Sequence, residues 1–353
     1  MKKWSLPMMV ALALPTMAIA EPSVTLYGVA DTGVGWVDSG AAGKSSTMVV
    51  ESGYVLPSRL GLRGSEDLGN GLKAFFNMES AINIDTGTAD TKKFWGRRAV
   101  VGLSGSFGEI HLGRDYTPGR MAALSTDIMQ YGFLGNWMGF GAGAGGFTVR
   151  TDNGIHYSGK FSGLTVRAMY AEGERTSSSG AGDVYGLSGV YNNGPLVVQA
   201  YYQESKSTVP ELPVENKAVR EFGAGAGYTF GDFKVTLSYG VSDPVSALES
   251  ALGKKTQALG IGASAKIGVG KLLAEVIQIK RDWGTMGKDA KATSIALGYL
   301  HPLSKRTQLY GTFGSMRNNS AAAFPLYAAS HAVKAGGAGD DTKGIAFGIL
   351  HKF

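Results

Sequence analysis

The chemistry open to this sequence lies in its arginines. Arg59 and Arg63 alternate with Leu60 and Leu62, Arg97 stands ahead of Ala99-Val100-Val101, and Arg150 and Arg167 sit in stretches of similar alternation. Successive side chains of an extended chain point to opposite faces. These five arginines therefore share the polar parity of their strands. Guanidinium stays charged even when crowded by its like. At about 5 Å it attracts a unit anion by roughly 0.8 kcal/mol in water and about 3 kcal/mol at an effective dielectric of 20. Such a row can enrich anions severalfold.

Bond-making chemistry has no comparable signal. The five His, at 111, 156, 301, 331 and 351, lack metal-ligand spacing, and neither a nucleophile elbow nor a His-Glu-x-x-His motif occurs. Gly141, Gly143 and Gly146 fit the dinucleotide pattern, yet no strand-turn-helix context surrounds them, so they read as loop glycines. The chain has no Cys, which removes disulfides and thiolate metal sites. The expectation is a protein that is not an enzyme and carries no cofactor or metal.

The elements that must position the arginines are strands. Val24, Leu26, Gly28 and Ala30 oppose Thr25, Tyr27, Val29 and Asp31; Ala74, Phe76 and Met78 oppose Lys73, Phe75, Asn77 and Glu79. The last strand puts Ile345, Phe347, Ile349, His351 and the terminal Phe353 on one face, with Ala346, Gly348, Leu350 and Lys352 on the other. Fifty-three Gly, without a triplet period, suit tight turns and closely packed strand positions. The recurring Arg, Glu, Lys and Asp on the polar face are too much charge for a packed core, and a water-filled lumen accommodates them.

Residues 1–20 read as a signal peptide, with Lys2 and Lys3, an apolar core from Met8 to Leu14, and Ala18-Ile19-Ala20 before Glu21. Beyond it no apolar run of about 18 residues occurs, so a membrane-spanning form must be a closed barrel. Without Lys2 and Lys3 the chain has 32 basic against 28 acidic residues, a net +4 that is too mild and too dispersed for nucleic acid. Short turns, such as Ser65 to Gly71 with its Asn-Gly pair, alternate with long polar segments, and the count gives about sixteen strands.

The segments Ser23 to Asp31, Ser58 to Leu72, Gly96 to Leu103 and Gly113 to Tyr116 resemble, in order and spacing, the general porins of Gram-negative outer membranes, most closely the β-proteobacterial branch. The resemblance runs through the mature chain, 21–353. It implies an all-β, 16-stranded antiparallel barrel, homotrimeric, whose third long loop, about 116–146 here, folds inward to form an eyelet. It places the basic wall of that eyelet at Arg59 of Ser-Arg-x-Gly and Arg97 of Gly-Arg-x-Ala. Arg63, Arg150 and Arg167 extend the wall at other depths, Arg150 foremost because it follows the loop. The loop's charged residues are Arg120 and Asp127 alone. Cation-preferring relatives carry several acids there, and this departure points to an anion-preferring pore.

Adjacent Arg97 and Arg98 must face opposite ways if the strand is regular, which sends Arg98 outward, with Arg114 on the outward parity of Ile110 and Leu112. Both are expected near the membrane boundary, with Arg114 covered by a neighbouring subunit, Asp85 or Asp90 being its partner. Tyr131, Phe133, Trp137 and Phe140 are expected to pin the loop to the wall, and Phe353 to serve as the assembly signal. The expected partners are two identical subunits, outer-membrane lipid and lipopolysaccharide, the barrel-assembly machinery, and small hydrophilic solutes and anions. The rival readings are a substrate-specific porin for an anionic nutrient, an outer-membrane barrel enzyme, and an adhesin acting through the segment Arg317 to Asp341.

Overall fold

The computed structural model describes residues 23–90, 92–137, 148–174, 180–206, 218–249, 253–284 and 287–353. The expected signal peptide, Phe140 and the glycine run 141–146 lie outside them. Sixteen antiparallel wall strands close into a barrel. β1 (Ser23–Asp38) precedes β2, which runs in two pieces, Thr47–Ser52 and Arg59–Gly69, both paired to β1. Then follow β3 (Leu72–Asn83), β4 (Arg98–Gly105), β5 (Gly108–Tyr116), a helix α1 (Pro118–Ala123), β6 (Arg150–Phe161), β7 (Leu164–Ala171) and β8 (Val184–Asn193). The circuit continues through β9 (Leu196–Lys206), β10 (Ala218–Phe230), β11 (Phe233–Pro244), β12 (Lys255–Ile267), β13 (Gly270–Asp282), β14 (Ala290–Pro302), β15 (Thr307–Asn318) and β16 (Thr342–Lys352).

Closure joins β16 to β1, from Val29 opposite Lys352 to Asp38 opposite Lys343. Beyond that register Gly28 and Phe353 exchange backbone hydrogen bonds of 3.0 and 3.2 Å. A Cβ on Gly28 would collide with the Phe353 ring, so the glycine makes room for the terminal aromatic. With no free edge, every wall amide can find a partner, which a lipid environment demands.

The alternation read in the sequence is physical. Val24, Leu26, Val101, Leu103, Ile155, Ile261 and Phe347 are exposed on the outer face, while their neighbours turn inward. Short turns gather at the end that holds Ser23 and Phe353, among them Gly69-Asn70-Gly71, all three at positive φ as the Asn-Gly chemistry requires. Long loops gather at the opposite end. Exposed Tyr228, Phe230, Phe233, Tyr299 and Phe353 surround the short-turn end, as an interfacial aromatic belt does.

One orientation differs from the sequence reading. Outward Val101 and Leu103 fix Arg98, Val100 and Gly102 as inward on β4, and the Arg98 guanidinium meets the inward carboxylate of Asp115 at 2.8 Å. Arg97 points inward as well. The ladder pairs Glu79 with Arg98, yet the Arg97 amide also donates to the Glu79 carbonyl at 3.1 Å. Two consecutive residues thus stand against one, a bulge that breaks strict alternation. Arg98 is therefore withdrawn from the outer face and from any subunit contact there.

Candidate pore constriction

The segment after β5 turns into the lumen. Thr117 caps α1, its hydroxyl accepting from the Arg120 amide, and Pro118 occupies the first turn, where its missing N–H costs nothing. The helix lies on the inner wall, with the Gly119 amide donating to Gln203 Oε1 of β9 at 3.2 Å. The chain then crosses the barrel. The Phe133 amide donates to the Tyr54 carbonyl at 2.7 Å, the Leu134 amide to Thr312 Oγ1 at 2.9 Å, and Ser294 Oγ to the Gly135 carbonyl at 2.8 Å.

Inward glycines make this seat. A Cβ at Gly260 would stand 2.7 Å from the Trp137 ring, at Gly262 2.7 Å from Ile128, at Gly298 2.7 Å from Phe133, and at Gly314 2.6 Å from Leu134. The loop's apolar side chains are knobs, and these glycines of β12, β14 and β15 are the notches. Tyr131, Phe133 and Trp137 are all buried there.

The return limb is tied to the wall as well. The Thr148 amide donates to Glu221 of β10 at 3.1 Å, and Gln203 Nε2 donates to the Thr148 carbonyl at 3.0 Å and also to Glu221. Neither Glu221 nor Gln203 was expected from sequence as a site residue.

Opposite the seat, Tyr116 gathers the basic wall. Its hydroxyl accepts from Arg97 Nη2 at 2.7 Å and from Arg150 Nη2 at 2.8 Å. Arg150 lies 4.3 Å and Arg120 5.7 Å from the centre of its ring, and Arg120 stacks 3.5 Å over Tyr131. Glu79 faces the same cluster, 3.5 Å from Arg97 and 3.9 Å from Arg59. Tyr27 donates to Glu79 and to Asn77, at 2.9 Å each, and carries Arg63 at 5.1 Å over its ring.

Arg59, Arg97, Arg120 and Arg150 thus converge, with Arg63 four residues along β2 toward the short-turn end. Arg167 stands apart, on the inward parity of β7 opposite Ser158 and Ser188. Asp127 sits near Arg120, inside the loop's own packing. It is buried, accepts the Met129 and Tyr131 amides at 2.9 and 2.6 Å, and lies beside the buried carboxyl of Glu275 on β13. Burial pushes its carboxyl up to about 6.

Arg98 belongs to a second inward cluster. His111 lies between Glu109 and Asp115, at 2.9 Å from each, and stacks on His156 with ring centres 4.8 Å apart. Arg114 does face outward, but its partner is in its own chain: Asp152 at 2.7 Å, which also holds Lys93. Within the chain neither Asp85 nor Asp90 pairs with it among the described residues.

The loop after β15 also departs from expectation. Rather than standing wholly outside, it folds down with Phe324, Leu326 and Ala328 buried. The Ser330 amide donates to the Gly53 carbonyl at 3.0 Å, the Gly135 amide to the Tyr327 carbonyl at 2.7 Å, and the His331 ring meets Tyr54 edge-on at 4.4 Å.

Comparison with known proteins agrees with this geometry. A family model for Gram-negative porins matches residues 8–321. The chain is 38% identical to outer membrane porin protein 32 of Delftia acidovorans over the whole of both chains. It is 31% identical to an outer membrane porin protein of Bordetella pertussis, over 91% of this chain and 95% of that one. Among solved structures, the anion-selective porin from Comamonas acidovorans superposes with a TM-score of 0.81 at 34% identity, covering 94% of this chain and all of the other.

Proposed function

The chain belongs to the Gram-negative porin family, an outer-membrane channel rather than an enzyme, and we propose that its water-filled bore favours anions as small hydrophilic solutes diffuse through. One observation carries the preference. Arg59, Arg97, Arg120 and Arg150 gather around Tyr116 with the one carboxylate of Glu79 beside Arg59 and Arg97, while the loop's one acid, Asp127, is buried in the loop's own packing near Arg120 and Glu275. Constrictions sort ions by bore and by such charged rings. The similarity to a porin titled anion-selective supports the same reading.

In this reading residues 1–20 are removed on export and the segment of about 116–146 is the constriction loop. Arg59, Arg97 and Arg150 form its basic wall, Arg63 and Arg167 extend the positive potential beyond it, and three copies assemble side by side. Arg114, on the outer face, is the remaining interface candidate of its pair. Phe353 is the terminal aromatic through which the assembly machinery recognises the chain.

Reversal potential across a planar bilayer in a KCl gradient tests the preference. A potential of the sign set by Cl⁻ is expected, and one set by K⁺ would overturn it.

A further inference from the structure

β2 is broken where β1 runs straight. Val29 pairs with Arg59 and Thr32 with Ser52, so Ala30 and Asp31 face six residues, 53–58, where the ladder has room for two. The surplus turns inward at Gly53, whose φ is +76°. It lays the Tyr54 ring on the inner wall, where a Cβ on Gly33 or Gly35 would stand 3.1 or 2.5 Å from it. The neck of this excursion is closed by hydroxyls and by the Asp31 backbone. Ser52 Oγ donates to Ser58 Oγ at 3.0 Å, the Asp31 amide donates to Ser58 Oγ at 2.9 Å, and the Gly53 amide donates to the Asp31 carbonyl at 2.8 Å.

Its tip is held by one side chain. Asp31 is fully buried, and one carboxylate oxygen accepts the Val55 and Leu56 amides at 2.8 and 2.6 Å. The other oxygen accepts the Tyr310 hydroxyl at 2.7 Å. None of these donors is a cation. A buried carboxylate set on neutral donors is unfavourable unless its hydrogen bonds are numerous and well aimed, which ties the charge to the segment that supplies them.

Three inward segments meet at this place. The Tyr54 carbonyl accepts the Phe133 amide of the inserted loop, and the Val55 carbonyl leaves no room for a Cβ on the loop's Gly132. The Gly53 carbonyl accepts the Ser330 amide of the last loop. Tyr310 stands in the same inward row of β15 as Thr312, which takes the Leu134 amide. The tip of the inserted loop therefore rests on residues 53–55 as well as on the barrel wall.

We propose that Asp31 is a positioning residue of the pore: its carboxylate fastens residues 53–58 to the wall, and that segment is the floor that keeps the inserted loop's tip out of the current path. The inference rests on reading 116–146 as the constriction loop and is independent of which ion the bore prefers.

The test is single-channel recording of the purified protein in a planar bilayer at constant voltage. Asp31→Ala keeps the neck, whose bonds use only hydroxyls and the backbone, and frees the tip. A hydrogen bond to a charged acceptor contributes roughly a factor of ten or more, so brief closures should occupy at least about ten times more of the record than in wild type. Asp31→Asn, whose carbonyl oxygen can take both amides while its NH2 donates to the Tyr310 oxygen, should restore the steady open level. Tyr310→Phe removes one donor and leaves β1 and β2 intact; it should raise the closed fraction in smaller measure, and it decides the matter if Asp31→Ala does not assemble. A wild-type closed fraction in Asp31→Ala, or in Tyr310→Phe where Asp31→Ala yields no barrel, overturns the proposal. So does an Asp31→Asn channel that closes as often as Asp31→Ala. Gly314→Ala, which crowds Leu134 of the same loop without touching Asp31, tells the failures apart. Lower conductance in Gly314→Ala beside steady Asp31→Ala channels would keep the loop as the constriction and remove Asp31 from its support, whereas wild-type currents in both would deny the loop itself.

Discussion

Asp127 of the inserted loop and Glu275 of β13 are both buried and face each other inside the barrel, where two carboxylate charges repel. The same contacts that anchor the loop bury its only acid in the loop's own packing, near Arg120. Selectivity and loop attachment are therefore linked through one side chain.

The first expectation concerns pH. Burial raises the Asp127 carboxyl to about 6, so the folded state favours the neutral form. That contribution is complete below the ordinary carboxylate range and is lost as pH rises through about 6. Open-channel noise from loop motion should grow between pH 4 and 7. Asp127→Asn should flatten this dependence; noise that stays pH-dependent in that variant would show that another group governs the loop.

Charge balance at the eyelet gives the second. Arg59→Ala with Arg97→Ala leaves Glu79 facing two fewer cations, and the reversal potential should move toward K⁺. Glu79→Gln should move it the other way. Each unit charge at about 5 Å alters an ion's energy by roughly 1 to 3 kcal/mol between the two dielectric limits, so severalfold changes in permeability ratio are expected. Equal ratios in wild type and both variants would place the selective charge elsewhere.

Most of the wall was legible because its signal is local. Leu60 and Leu62 against Arg59 and Arg63, or the outward row of the last strand, need only period 2 to be read, and a sixteen-strand count follows from turn chemistry. Arg98 was misplaced because a bulge is a single extra residue whose neighbours look regular. Glu79 was visible on the polar face of its strand, but its meeting with Arg59 and Arg97 depends on register between strands. Glu275 and Glu221 lie more than 70 residues from the loop segments they hold, a separation no local pattern encodes. The inward fold of the last loop was hidden for the same reason, because its polar composition suits solvent and its burial is dictated by Tyr54 and the loop already in the lumen.

The glycine notches yield a packing prediction. The space a Cβ would need at Gly314 is held by the Leu134 backbone as well as its side chain, so no rotamer change can clear it. Gly314→Ala should push the loop off the wall at a cost of about 1–3 kcal/mol, the usual range for overpacking. Lower conductance with an unshifted reversal potential is expected, since the loop would be displaced toward the arginines without changing any charge. Conductance and protease resistance equal to wild type would mean that the seat tolerates the methyl group.

His331 supplies the last prediction. Its imidazole is buried edge-on against Tyr54 in the loop above the constriction, and burial lowers its pKa to about 4 from an ordinary value near 6.5. The docked loop therefore needs the neutral ring. Its stabilisation is complete above the ordinary value and is lost progressively as pH falls toward 4, by roughly 3 kcal/mol in all. Undocking would free the Ser330 and Tyr327 contacts with Gly53 and Gly135, exposing both loops from above. Cleavage near Lys334 by an acid-tolerant protease should rise steeply below about pH 5, and His331→Phe, which keeps the ring against Tyr54 but cannot take a proton, should hold cleavage at its neutral-pH level. Equal acid cleavage of wild type and His331→Phe would remove the imidazole from any part in holding the loop.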